Sequence, residues 1–229
     1  MVKPDGGRTS TDEEKADTLN DYFASIFTHE DIPSVPPVSP LDDISPLTTV
    51  NITPSIVHEK LKKLNPNKST GHDGMNPYFL RELAECIALP LSIIFNKSLK
   101  EGAHESWKKA NITAIFKKGS RHLPENYRPI SIRTVISKLI EQIIRNEMLN
   151  HLIKNGILCD NQHGFVPKRN CMTQLLLCME DWTRMIENCK AFDVIYTDFS
   201  KAFDSVAHER LLVKLENIGI KGDLIKWIR

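Results

Sequence analysis

The first periodic apolar pattern in the chain begins after a helix-capping sequence. Thr11 stands three residues before Glu14, which is the spacing of a capping box. The helix predicted from this point places its apolar residues on one face: Ala16, Leu19, Phe23, Ile26 and Phe27. Residues 31–54 then contain six prolines and almost no periodicity, so we predict an extended linker or an arm that follows the surface.

Proline and apolar spacing mark the remaining helices. Because proline fits the first position of a helix, we predict helices that begin at Pro54, Pro77 and Pro90. Apolar residues spaced three and four apart predict further helices, which cover residues 134–152, 172–186, 207–218 and 223–229. A glycine at position 219 would end the third of these.

Two short segments have the composition of β-strands. Residues 112–116 are β-branched and aromatic and run into a polar turn at residues 117–120. Residues 192–197 (Phe-Asp-Val-Ile-Tyr-Thr) are similar, and Asp198 stands at their end. The pattern as a whole predicts a helix-rich α+β protein.

Charge is distributed unevenly along a chain of net charge +1. Residues 1–50 carry three basic and ten acidic side chains, whereas residues 107–169 carry twelve basic and four acidic ones. The basic segment is a candidate phosphate-facing surface, and the alternative is a solvated face with scattered lysines.

Cysteine usage and hydropathy indicate a cellular compartment. The five cysteines form an odd number without a Cys-x-x-Cys pair, which favours reduced thiols with no disulfide partner in an intracellular protein. No apolar run approaches the roughly 18 residues of a membrane-spanning helix, and the N-terminus lacks the apolar core of a secretory signal. We therefore expect no membrane association.

Asp198 is the first candidate for chemistry. A carboxylate at the end of a buried strand is a stiff mount for Mg²⁺, which prefers oxygen ligands and keeps several of its waters. Taken alone, an aspartate at such a position also fits a turn or a helix N-cap.

Four motifs in order along the chain decide between these interpretations. Residues 198–206 (Asp-Phe-Ser-Lys-Ala-Phe-Asp-Ser-Val) resemble the first catalytic motif of reverse transcriptases, most closely those of non-LTR (LINE-type) retrotransposons of the jockey or CR1-like branch. Residues 67–75 (Asn-Lys-Ser-Thr-Gly-His-Asp-Gly-Met) resemble an N-terminal motif of the fingers. Residues 107–132 and 162–169 (Gln-His-Gly-Phe-Val-Pro-Lys-Arg) resemble the next two fingers motifs.

The resemblance implies a nucleotidyl-transfer site. Asp198 would be the side-chain ligand that bridges two Mg²⁺ ions about 3.5–4 Å apart, with the backbone carbonyl of Phe199 as a further ligand. Lys117 and Arg128 would bind the phosphates of the incoming nucleotide, the arginine in a bidentate way. Either cation could instead be an ordinary surface charge.

Sugar and template contacts follow from the same resemblance. Phe203 would be the steric gate that leaves no room for a 2′-hydroxyl, unless its ring serves only core packing. Gly164 and Phe165 would shape the pocket around the templating base, and Lys168 and Arg169 would touch the template backbone. This turn departs from the family pattern, since Lys168 and the residue at position 170 stand where Gly and Ser are common. Asp204 is left open between the site and a cap on the following helix.

The implied fold is the right-hand polymerase fold, here with the fingers and the start of the palm but no complete palm or thumb. We expect an N-terminal helical connector (1–30), the proline-rich linker (31–54), the fingers with the helices between fingers and palm (55–190) and the truncated start of the palm (191–229). An incomplete palm sheet would expose an unpaired edge and apolar surface.

The implied activity is RNA-directed DNA polymerisation, with dNTP, a DNA primer and an RNA template as partners, in the nucleus and cytoplasm. The Tyr/Phe-x-Asp-Asp hairpin that completes the metal site does not occur in the sequence, so we expect this chain alone to be inactive. A non-catalytic nucleic-acid-binding remnant and a non-functional partial gene product are the alternatives. The sequence leaves open the oligomeric state, the host element and the template RNA.

Overall fold

A computed structural model describes residues 1–3, 6–28 and 44–229. Most of the predicted linker, residues 31–43, lies outside the described residues. The helices are α1 (Asp12–Ser25), α2 (Pro54–Lys62), α3 (Pro77–Glu82), α4 (Ala84–Glu101), α5 (Val135–Lys154), α6 (Cys171–Glu187), α7 (His208–Asn217) and α8 (Gly222–Ile228). The strands are β1 (Asn111–Phe116) and β2 (Tyr127–Ile132), and 3-10 turns occupy Glu105–Lys108 and Pro124–Asn126. The α+β class predicted from the sequence is confirmed.

Side-chain caps start the helices where the sequence predicts them. The hydroxyls of Thr11, Thr53 and Thr134 accept hydrogen bonds from backbone amides in the first turns of α1, α2 and α5, at 3.1, 3.3 and 3.2 Å. At the end of α7, Gly219 has a φ of +90° and the amide of Ile220 returns to the carbonyl of Leu215 at 2.9 Å. A left-handed residue at this position favours glycine, so the predicted helix end is confirmed.

The apolar core lies among α2, α4, α5 and α8. Its members share almost complete burial and come from all four helices. The largest from these helices are Leu61, Phe95, Ile140 and Leu224, with Val57, Leu99, Leu139 and Ile143 around them, and Ile52 and Ile220 from outside the helices are buried with them. Burying each such side chain contributes about 1.5–3 kcal/mol, which makes this core the main source of stability.

The described end of the predicted linker, residues 44–53, packs into this core. Val50 and Ile52 are buried there. The backbone of Ile52 is held by the side-chain amide of Asn96, which donates to its carbonyl at 2.7 Å and accepts from its amide at 3.2 Å. Leu47 forms a parallel bridge with Ile220. This part of the chain is therefore a core element, while the division into domains stays a prediction.

The helix start predicted at Pro90 is wrong. Helix α4 begins at Ala84 and runs through Pro90 to Glu101. An internal proline removes one helical hydrogen bond and costs about 3 kcal/mol, so something must offset it. Ala84, Ala88, Phe95 and Leu99, on both sides of the proline, are buried in the core. Tertiary packing thus overrides the local preference.

The strand predicted at residues 112–116 is confirmed, and its partner was missed. β1 pairs antiparallel with β2, with Ile115 opposite Arg128 and Phe116 opposite Tyr127. Pro129 in β2 argues against a central strand. It is tolerated here because both strands of a two-stranded sheet are edges, each with one side free of ladder hydrogen bonds.

The strand predicted at residues 192–197 is wrong. These residues and the two that follow form neither helix nor strand. A strand is stabilised by pairing with a neighbour, and within the described residues nothing pairs with this segment. Val194, Ile195 and Tyr196 are consequently exposed, Ile195 to 85%, while Phe192 stacks on the ring of Trp182. High β-propensity alone does not make a strand.

Helix α6 carries an exposed apolar stripe of leucine, methionine and isoleucine side chains. The stripe consists of Met172, Leu175, Leu176, Met179 and Ile186. None of the helices in the described ranges is long and apolar enough to cross a membrane.

We expect Leu61→Ala to lower the free energy of unfolding by about 2–5 kcal/mol, because it leaves a cavity in the packed core. The control is Leu89→Ala on α4, where the leucine is exposed and the cost is expected to stay within about 0.5 kcal/mol. Urea denaturation measures both. Equal costs for the two variants would contradict this location of the core.

Candidate functional site

One face of the β1–β2 hairpin is open to solvent and carries a predicted phosphate-binding residue. Ile115 and its cross-strand partner Arg128 are both exposed on it. The amide of Lys117 donates to the carbonyl of Asn126 at 2.8 Å, which continues the pairing one step beyond β1. Because side chains alternate along a strand, Lys117 falls on the same face as Arg128, as its diagonal neighbour. Two cations are thus brought together on an open face.

The turn that joins the strands is built around Asn126. Its side-chain amide donates to the carbonyl of Ser120 at 2.8 Å. Gly119 has a φ of +87°, and a Cβ there would lie 2.8 Å from the Asn126 side chain. Only glycine fits both conditions without strain, so the turn after Lys117 has a defined shape.

The loop between α5 and α6 is held from inside by His163. Its Nδ1 lies 2.6 Å from the hydroxyl of Thr173, which donates to the carbonyl of Asn170 at 2.8 Å. Since that hydroxyl has one proton, Nδ1–H of His163 is the donor of the pair. Nε2 is buried, and within the described residues it has no hydrogen-bond partner.

Arg169 also holds this loop. Its guanidinium donates to the carbonyls of Asp160 and Gln162 at 2.5 and 3.0 Å. The side chain therefore closes the loop on itself, whereas the neighbouring Lys168 is exposed, with a φ of +63°. The template-contact role of both cations stays a prediction, and the geometry favours Lys168 for it.

Two motifs that are far apart in sequence meet through aromatic rings. Phe165, with a φ of +62°, lies edge-on to Phe203 with 6.2 Å between ring centroids. Both rings are otherwise open, at 75% and 78% exposed. The core-packing alternative for Phe203 is therefore wrong. The structure joins a predicted template-pocket residue to the predicted steric gate.

Asp198 and Phe199 lie in the irregular segment before this contact. The Phe199 side chain is 85% exposed, and the Asp198 carboxylate is also exposed. No hydrogen bond or ion pair within the described ranges occupies that carboxylate. The turn carries Lys201 with a φ of +50°, and the amide of Ser205 donates to the Lys201 carbonyl at 2.9 Å. The alternative role of Asp204 as a helix cap is wrong, because the N-cap of α7 is Ala207 and no side chain caps that helix.

A metal would find only part of a site here. No group of three or more His, Cys, Asp or Glu side chains is arranged to hold an ion in the part of the chain that the structure describes. Asp198 offers one free carboxylate, and the next residue offers a backbone carbonyl. Since Mg²⁺ accepts oxygen ligands and keeps waters, these atoms fit a share of its coordination shell.

The segment 67–75 lies against the start of α5. A Cβ on Gly71 would lie 2.5 Å from the Cα of Thr134, a contact that real structures do not show. Thr134 is the N-cap of α5 and is buried. The close approach of two backbones thus explains the glycine in this motif.

Comparison with known proteins identifies the family. The family model described as reverse transcriptase (RNA-dependent DNA polymerase) matches residues 115–229, half of the chain. The chain belongs to the reverse transcriptase family. The match starts near the end of β1 and covers β2, the α5–α6 loop and the segment with Asp198, and it leaves residues 1–114 outside.

Relatives connect this reverse transcriptase to LINE-type retrotransposons. The chain is 27% identical over 227 residues to a probable RNA-directed DNA polymerase from transposon BS of Drosophila melanogaster, which covers 94% of the chain and 25% of the relative. It is 28% identical over 182 residues to the RNA-directed DNA polymerase from mobile element jockey of the same species, 79% of the chain and 20% of the relative. A Pol polyprotein from the type-1 retrotransposable element R2 of Popillia japonica is 26% identical over 140 residues, 61% of the chain and 19% of the relative. The chain thus spans about a quarter or less of the length of these relatives.

Sequence reasoning identified the motifs but missed residues that hold them. It gave no role to His163 or Asn126, although both stand inside the motifs. The sequence signal that could have indicated them is a polar side chain inside a motif of apolar or turn-forming residues. Within the reverse transcriptase motifs, the strand register puts Lys117 and Arg128 on one face of the hairpin, and the structure brings the rings of Phe165 and Phe203 together. The roles assigned to these residues in catalysis stay predictions.

We expect Gly71→Ala to lower the free energy of unfolding by about 1–3 kcal/mol, because the added methyl group must push the backbone of Thr134 away. Gly164→Ala is the matched control, since a Cβ there meets nothing within 4 Å. Thermal unfolding followed by circular dichroism compares the two variants. An equal midpoint for both would show that the two backbones are not in contact in solution.

Proposed function

We propose that this chain supplies the fingers and the first catalytic motif of a non-LTR reverse transcriptase, which adds dNTPs to a DNA primer on an RNA template. The observation that carries the proposal is the contact between Phe165 and Phe203. It places the motif expected to face the templating base against the motif that contains the expected metal ligand. A nucleotide pocket requires those two motifs to be neighbours.

In this proposal Asp198 and the carbonyl of Phe199 hold Mg²⁺. Two such ions, when bound, neutralise charge on the phosphates and on the attacking and leaving oxygens of the transfer. Because phosphoryl transfer depends mostly on positioning and charge neutralisation, the task of the protein is to hold these ligands still. The free, exposed carboxylate of Asp198 is available for that task.

Lys117 and Arg128 are proposed to bind the triphosphate of the incoming dNTP. They share one open face of the hairpin, so both can approach a single anion. The guanidinium of Arg128 can meet two phosphate oxygens at once, and the ammonium of Lys117 adds a point charge. The apolar side chains of Ile115 and Ile130 on the same face give the sugar or base a surface to lie on.

Phe203 and Phe165 are proposed to enclose the sugar and the templating base. A ring under the sugar excludes a 2′-hydroxyl by steric clash. Gly164 has room on its Cα side, since a Cβ there would meet nothing within 4 Å, and a templating nucleotide could approach the backbone closely at that point. Lys168, exposed beside this pocket, is proposed to contact the template phosphates.

We also propose that the isolated 229-residue chain does not extend a primer. Its sequence contains no Tyr/Phe-x-Asp-Asp motif, and Asp198 is the one side-chain metal ligand that the matched motif provides. The competing proposal for the isolated chain is nucleic-acid binding without catalysis, which the basic segment 107–169 favours.

We expect the isolated chain to bind single-stranded RNA with an affinity that falls as salt rises. Loss of one phosphate contact lowers the slope of log K against log salt by about 0.7, so Lys168→Ala should show that change. The control is Lys226→Ala on α8, an exposed lysine paired with Asp223, which should leave the slope unchanged. Fluorescence anisotropy at several salt concentrations gives the slopes. Identical slopes for wild type and Lys168→Ala would remove Lys168 from the template path.

Primer extension tests the catalytic part of the proposal. We expect the isolated chain to add no nucleotide to a DNA primer on an RNA template with Mg²⁺. A longer reading frame that includes an Asp-Asp hairpin should be active, and Asp198→Ala should abolish that activity. The inactivity proposal fails if the isolated chain extends the primer and Asp198→Ala stops it.

A further inference from the structure

The N-terminal segment, residues 1–3 and 6–28, lies outside the part of the chain that the family model matches. Its fold is fixed from within by Glu14. That carboxylate accepts from the amide of Ser10 at 2.6 Å and from the ammonium of Lys3 at 2.9 Å. These hydrogen bonds lower the pKa of Glu14 to about 2, so the carboxylate keeps its charge even in mild acid. Residues 1–3 and 6–28 thus form a short folded unit that contains α1.

One end of this unit contacts the fingers turn. The amide of Val2 donates to the carbonyl of His122 at 2.8 Å. Helix α1 packs against the 3-10 turn Pro124–Asn126. Asn126 is the residue whose carbonyl accepts the amide of Lys117. The N-terminal unit therefore rests on the turn that follows the predicted phosphate-binding lysine.

The other end of the unit contacts the turn after Asp198. The ammonium of Lys201 lies over the ring of Tyr22, 5.1 Å from its centroid. The hydroxyl of Thr28 donates to the carbonyl of Ser205 at 3.1 Å. The ring of Phe27 lies 6.5 Å from that of His208. The two ends of the turn, at Lys201 and Ser205, are each held by a residue of the N-terminal unit.

The internal hydrogen bonds of that turn all come from Ser205, which donates through its amide and hydroxyl to the carbonyl of Lys201 and through its hydroxyl to that of Ser200. The turn belongs to no helix or strand, and Lys201 holds a left-handed backbone conformation that only a minority of lysines adopt. Such a conformation persists where neighbouring contacts favour it. The ring of Tyr22 supplies one, because it attracts the charged end of the same residue. Phe203, the predicted steric gate, is two residues further along.

We propose that Tyr22 and Thr28 are positioning residues, which hold the turn 199–206 so that Asp198 and Phe203 keep their places. Neither touches substrate, and both act through the turn. The inference rests on the proposed function for its purpose, since it assigns the turn to a nucleotide site. The physical claim is that the N-terminal unit restrains the turn, and that claim is independent of the function.

Hydrogen exchange on the 229-residue chain tests the restraint. The readout is the amide of Ser205, which donates to the carbonyl of Lys201. Tyr22→Leu removes the ring, and we expect exchange at Ser205 to accelerate about two- to fivefold, the factor that an exposed cation–π contact supports. Tyr22→Phe keeps the ring and should restore the wild-type rate. The same rescue is not expected of a change that only perturbs folding.

Amides in α5 serve as the folding reference, since that helix is buried in the core and makes none of these contacts. Unchanged exchange at Ser205 in Tyr22→Leu overturns the proposal. If Tyr22→Leu also accelerates exchange in α5, the test passes to Thr28→Val. That variant removes only the hydroxyl that donates to the carbonyl of Ser205. Faster exchange at Ser205 in Thr28→Val supports the restraint, and an unchanged rate overturns it. If the wild-type chain does not bind RNA, the proposed function is contradicted, and the hydrogen-exchange result on the turn still stands.

Discussion

Burial of one face of α5 is the constraint on which the rest of the structure depends. The residues Leu139, Ile140, Ile143 and Ile144 are buried in the core, so the direction of this helix is set by apolar packing. The β1–β2 hairpin enters α5 at Thr134, and the loop that carries Phe165 leaves it at Asn155. Both predicted halves of the nucleotide pocket are therefore attached to the two ends of one rigid element. The close approach of Gly71 to Thr134 brings residues 67–75, a third predicted motif, to the end where β2 enters.

Local chemistry predicted the elements whose signals are local. The cap at Thr11, the helix start at Pro54 and the helix end at Gly219 each depend on a few neighbouring residues, and each was found as expected. The helix start predicted at Pro90 was wrong because burial of the core around Phe95 outweighs the cost of an internal proline. β2 was missed because Pro129 argues against a strand, and its tolerance depends on the edge position that only the sheet reveals.

The candidate site divides along the same line. Motif order was sufficient to select Asp198, Lys117, Arg128 and Phe203 from the sequence. The motifs could not show that the guanidinium of Arg169 donates to the carbonyls of Asp160 and Gln162, because such contacts form only in the folded loop. Nor could they show the role of His163, whose single partner Thr173 lies on the next helix. Residues that hold a site in shape have no motif of their own.

The conformation of the segment around Asp198 depends least on its local sequence. The segment has the composition of a strand, yet most of its apolar side chains are exposed and within the described residues no strand pairs with it. Backbone propensity cannot hold a carboxylate in place without a partner that supplies hydrogen bonds or packing. In this chain the neighbouring turn receives such contacts from Tyr22 and from Thr28, which stands 177 residues before its partner Ser205. The position of this predicted metal ligand is thus a property of the tertiary structure, even where the motif that contains it can be read from nine consecutive residues.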